Sequence, residues 1–79
     1  MKKHLILLMR QNCHLCWAME KTLKEKLPHL NCQMLDIDLP ENKLWFEQYN
    51  LLVPVLLLNG KAVCHYHLDE KTIALLKND

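Results

Sequence analysis

Residues 4–28 read HLILLMRQNCHLCWAMEKTLKEKLP, and their hydrophobic period changes once, across a polar joint that leads into two cysteines. His4 to Met9 is a continuous apolar run of strand length, suited to a strand covered on both faces. Beyond Arg10-Gln11-Asn12 the pattern turns helical. Cys16, Met19, Leu23 and Leu27 recur at three- and four-residue spacing, which predicts a helix over Cys13 to Leu27 with one apolar stripe. Glu20, Lys21, Lys24, Glu25 and Lys26 supply a solvated side, and Pro28 closes the element.

The same reading extends along the rest of the chain. Cys32 to Asp38 nearly alternates polar and apolar residues, as expected of a second strand closer to a sheet edge. Asp38-Leu39-Pro40-Glu41 marks a helix start, with proline and an acid in the first turn. That helix is expected to reach about Tyr49, with Leu44, Trp45 and Tyr49 on or near its buried side. Val53 to Leu58 is a third strand, interrupted only by Pro54, and Asn59-Gly60 is a strong hairpin signal that returns Lys61 to His65 antiparallel. From Leu68 or Asp69 to Lys77, the pattern Ile73, Leu75, Leu76 predicts a closing helix, with Asp69 and Glu70 at its positive end.

The order is β-α-β-α-β-β-α. Strands alternating with helices imply a parallel βαβ unit with a right-handed crossover. The hairpin then adds two antiparallel strands. The expectation is one α/β domain over residues 1–79, a four-stranded mixed sheet with helices on both faces.

Composition narrows the function. Ten basic residues against nine acids give a net charge of +1, and the lysines are interspersed with acids. That leaves no electrostatic footprint for nucleic acid. No segment approaches the roughly 20 apolar residues of a membrane span. The run Leu5 to Met9 is too short for a leader's apolar region, and Arg-Gln-Asn before Cys13 is no processing site. A cytoplasmic monomer is expected. Stable structural disulfides are unusual in that compartment, which counts against a staple between Cys13 and Cys16.

Cys13 stands after the first strand, at the first turn of the first helix. Amide groups there lack intrahelical partners and the helix end is partly positive. Both effects favour a thiolate. His14, when protonated, would add a positive neighbour, and Arg10 could add another. Cys16 begins the apolar stripe and should be less exposed. An accessible, activated thiol beside a buried one is the layout that disulfide exchange requires.

Three features resemble the glutaredoxin-like class of thioredoxin-fold proteins. They are Cys13-His14-Leu15-Cys16 after strand one, Val53-Pro54-Val55 opening strand three, and Asn59-Gly60 at the hairpin. Tyr49 to Gly60 is close in kind to the family's tyrosine-glycine-isoleucine segment, proline and hairpin. The chain is most similar to short bacterial-type members, which often carry histidine-leucine between the cysteines. The resemblance spans nearly the whole chain and implies a thioredoxin-like sandwich with thiol–disulfide oxidoreductase activity. It implies that Cys13 attacks and Cys16 resolves. It also implies that Pro54 is cis and faces the cysteine pair, and that the backbone of Val53 binds substrate. The substrate would be a disulfide in a protein or a glutathione mixed disulfide. No cofactor is implied beyond glutathione or a dithiol reductant as co-substrate.

Where family members that bind glutathione carry Gly-Gly, this chain has Cys64-His65, followed by Tyr66-His67. Side chains there obstruct a close backbone approach, although Asp69 could still offer a carboxylate. A rival reading is a non-enzymatic binding or zinc module drawing ligands from Cys13, Cys16, Cys64, His65 and His67. Cys-His-x-His is not a usual zinc pattern, and no metal site is expected. Cys32 and Cys64 are expected to pack as small apolar residues, with His65 and His67 alternating onto the face opposite Cys64. Trp17, about a hundred degrees around the helix from Cys16, either flanks the site or covers a helix side.

Overall fold

A computed structural model describes residues 3–77. The first strand, β1 (Leu5–Met9), runs through the middle of the sheet. It pairs parallel with β2 (Cys32–Asp36), from Leu5 opposite Cys32 to Met9 opposite Asp36. On its other side it pairs antiparallel with β3 (Val55–Leu58), with Leu5 opposite Leu58 and Leu8 opposite Val55. β4 (Lys61–His65) closes the order β2-β1-β3-β4. The apolar runs thus occupy the two central strands, where both faces are covered.

Alternation along β1 sends its side chains into two cores. Leu5 and Leu7 pack with Leu56 against Met19, Leu23 and Leu27 of the first helical segment and Leu76 of the last. Leu8, Val55 and Leu57 pack on the opposite face with Trp45, Tyr49, Leu52 and Val53. Helices α1 (His14–Lys26) and α3 (Glu70–Lys77) therefore cover one face and α2 (Lys43–Tyr49) the other. This is the mixed sheet with helices on both faces that the element order predicted, and the thioredoxin-like sandwich that the resemblance implied.

Local chemistry accounts for the element ends. Cys13 is the N-cap of α1, and Leu27 ends it with its N–H bonded to the Leu23 carbonyl at 2.9 Å. Asp69 Oδ1 accepts from the Thr72 N–H at 2.7 Å, capping α3. Its carboxyl is held below the usual carboxylate range, chiefly by the Thr72 hydroxyl and then the Thr72 amide. In the hairpin, Asn59 (φ +51°) and Gly60 (φ +87°) both take left-handed backbone, as a type I′ turn demands. Asn59 also exchanges two 2.9 Å hydrogen bonds with the backbone of His4, tying the turn to the start of β1.

Five details differ from the expectation. The helix starting near Pro40 is split into a 3-10 turn, Pro40–Asn42, followed by α2. Leu44 lies 77% exposed because Trp45 and Tyr49, one turn apart and stacked, already occupy the sheet-facing side. Leu75 is exposed as well. It sits two residues from Ile73, roughly 200° around the helix, while Thr72, Ile73 and Leu76 are buried. Finally, a bulge breaks the β4 register between Leu56–Cys64 and Leu57–Ala62, so Val63 and Cys64 both pack on the α1–α3 core. His67 lies beyond β4, after Tyr66 at φ +65°, and does not share a strand face with His65.

Candidate active site

The turn between β1 and α1 delivers the cysteine pair. Asn12 takes φ +56°, a conformation that asparagine tolerates better than most residues. Cys13 then adopts extended backbone (φ −118°, ψ 104°) as N-cap. Its Sγ accepts the Cys16 N–H at 3.2 Å, and its carbonyl accepts the Trp17 N–H at 3.1 Å. No acidic residue stands in the first turn to oppose a negative sulfur. Cys13 is half-buried, whereas Cys16 is 1% exposed, and a disulfide joins them. The asymmetry of exposure expected between the two sulfurs is present.

The Val53–Pro54 peptide bond is cis, and it precedes β3. Tyr66 spans this segment: its N–H bonds to the Pro54 carbonyl at 2.8 Å and its hydroxyl to the Leu51 carbonyl at 2.9 Å. Nothing in the sequence announced that role, since an aromatic residue at positive φ is uncommon. Tyr66 also sets its ring edge-on to that of His65, with centroids 4.7 Å apart. These side chains fill the stretch where glycines would leave open backbone.

Arg10 and His14 are both engaged by neighbours. The Arg10 Nη2 donates to Asp38 Oδ1 at 3.1 Å and to Asn50 Oδ1, linking three loops. His14 is exposed, with its ring edge-on to Trp17 at 5.3 Å. Trp17, 49% exposed, flanks the start of α1 on the solvent side and does not cover the core. Asp69, the carboxylate considered for a tripeptide's amino end, caps α3.

The other two thiols have a different character. Burial is the main cause that pushes both Cys32 and Cys64 up to about 11. Cys32 lines a groove of about 420 Å³ between the second half of α1 and β2, which none of the dithiol or proline-loop residues touches. The zinc set considered from sequence is not assembled. Cys13 and Cys16 bond to each other and Cys64 packs on the core. Among the described residues, no group of three or more His, Cys, Asp or Glu side chains is placed to hold a metal ion. Among those residues, too, no helix is long and apolar enough to cross a membrane.

Comparison with known proteins agrees with this geometry. Residues 4–76 match the family model of the Glutaredoxin-like domain (DUF836). The solution NMR structure of protein Ne2328 from Nitrosomonas europaea is 30% identical. The match covers 96% of this chain and 92% of that one, with a TM-score of 0.81. Because the match runs through both the dithiol turn and the proline loop, the chain belongs to the glutaredoxin-like family, with a redox-capable Cys13–Cys16 pair on a thioredoxin-like fold.

Proposed function

We propose that the protein is a dithiol thiol–disulfide oxidoreductase. The observation that carries this reading is the Cys13 sulfur, which caps α1 and accepts an amide hydrogen while bonded to the buried Cys16. In the reduced state the same amide and the helix dipole would stabilise a thiolate at Cys13.

The Cys13 thiolate attacks one sulfur of a substrate disulfide, forming a mixed disulfide and releasing the second substrate sulfur as a thiolate that takes up a proton. Cys16 then loses its proton and attacks the Cys13 sulfur. The Cys13–Cys16 disulfide forms and the remaining substrate thiol departs. Two electrons pass from the dithiol to the substrate. Two glutathione molecules, which end as glutathione disulfide, or one dithiol reductant return them, and no organic cofactor takes part. The substrate is a protein disulfide or a glutathione mixed disulfide, with the Val53 backbone and Pro54 shaping the groove that receives it.

We assign the working compartment to the cytoplasm. There a Cys13–Cys16 disulfide would be a catalytic state, because reductants remove permanent ones.

A disulfide-reductase assay, run in parallel with glutathione and with a thioredoxin-reductase system, tests this. Activity is expected with at least one donor and is lost in Cys13→Ser, whereas Cys16→Ser accumulates a mixed disulfide visible by mass spectrometry. Equal residual activity in the two variants would refute the division of labour. Turnover with the reductase system and none with glutathione would tie substrate choice to the side chains at residues 64–67.

A further inference from the structure

Arg10 stands three residues before Cys13, and Asn50 three residues before Val53. Their side chains meet: the Arg10 Nη2 donates to Asn50 Oδ1 and, at 3.1 Å, to Asp38 Oδ1. Arg10 leaves the end of β1, Asp38 follows the end of β2, and Asn50 is the C-cap of α2. One guanidinium thus joins the dithiol turn, the β2–α2 loop and the loop carrying the cis Val53–Pro54 bond. The Arg10 side chain is 29% exposed. With the Asp38 carboxylate in contact, little positive field is left over for a sulfur three residues away. A geometric task fits this placement better than a charge directed at Cys13.

We infer that Arg10 is a positioning residue that acts through Asn50 to hold the Leu51–Pro54 loop in register with the Cys13 turn, so that a polypeptide disulfide meets both at once. The inference rests on the oxidoreductase reading. Tyr66 secures the far side of the same loop through the Leu51 and Pro54 carbonyls. The loop is held from β4 by the tyrosine and from the dithiol side by the arginine. Positioning of this kind matters because small misplacements of a bound reactant cost rate steeply.

Asn50→Ala removes the acceptor and keeps the Arg10 charge; Arg10→Met removes the donor and the charge together. Each is compared with wild type on a disulfide-bridged peptide, which needs the groove, and on dithiobis(nitrobenzoate), which reads only the reactivity of Cys13. Both variants are expected to raise KM for the peptide about five- to tenfold with kcat changed less than about twofold. The rate with the small disulfide and the pH midpoint of Cys13 alkylation stay at wild-type values. The double variant is no worse than either single one, because the two residues share one interaction. Amide hydrogen exchange at Leu51, Leu52 and Val53 of the oxidised protein accelerates in both variants, a readout independent of turnover.

An unchanged peptide KM in a folded Asn50→Ala protein, or unchanged exchange in the loop, overturns the inference. So does a raised alkylation midpoint in Arg10→Met with Asn50→Ala silent, which would make Arg10 an electrostatic helper. A wild-type protein that reduces neither disulfide overturns the oxidoreductase reading, and the role assigned to Arg10 falls with it.

Discussion

Cys13 differs from Cys32 and Cys64 in what surrounds its sulfur. It caps a helix, within reach of an amide hydrogen and with no acid in the first turn. Cys32 and Cys64 are half-buried against the core, and Glu20 and Asp69 respectively add negative charge beside them. Burial is the larger cause in both, and both thiols stay protonated through neutral pH. Alkylation of the reduced protein followed by peptide mass spectrometry should therefore be site-selective. Cys13 reacts with a midpoint below the ordinary thiol value of 9.0, and Cys32 and Cys64 gain reactivity only as pH approaches about 11. Equal rates at all three sites at pH 7 would show that the cap does not activate Cys13.

At the scale of elements, α1 has two separate tasks. Its first turn holds the dithiol, and Met19, Leu23 and Leu27 anchor it to the sheet. Leu23→Ala should cost about 2–5 kcal/mol of stability by leaving a cavity, read as a lower denaturant midpoint. The Cys13 alkylation midpoint should not move. The hairpin offers a second test. Asn59→Ala loses the side-chain bond to the His4 amide and puts at φ +51° a residue that tolerates left-handed backbone less well than asparagine. A loss of about 1–2 kcal/mol is expected. Gly60→Ala is strained by φ +87° alone, since an added β-carbon meets nothing within 4 Å. It should cost about 1 kcal/mol. Equilibrium denaturation of both variants checks these values.

The whole molecule couples the two half-buried thiols to stability. Their folded pKa values, about 11, lie above the ordinary 9.0. The unfolded chain therefore loses those protons first. The stabilisation is complete below pH 9 and fades as pH rises towards 11. Two pH units correspond to at most about 2.7 kcal/mol per thiol, and partial exposure reduces this to roughly 1 kcal/mol each. Chemical denaturation at pH 8 and pH 11 should show the loss for the reduced protein. A Cys32→Ala, Cys64→Ala double variant should show much less of it. In the two-sided core, Leu7→Ala removes a fully buried side chain of the central strand. It should cost about 2–5 kcal/mol, seen in the same experiment.

The strands, α1, the hairpin and the dithiol were legible in the chain, because each follows from local periodicity, a cap or turn chemistry. Apolar runs could go only to central strands, and Asn59-Gly60 suits the turn it makes. What sequence left open depends on groups far apart along the chain. The engagement of Arg10 with Asn50 joins positions forty residues apart. The Tyr66 clasp on Leu51 crosses fifteen. The bulge that turns both Val63 and Cys64 to one core, and the exposure of Leu44 and Leu75, arise from competition for the same sheet surface. Periodicity registers which side chains are apolar. Only the folded chain decides which of them reach the core first, and which polar groups find each other across loops.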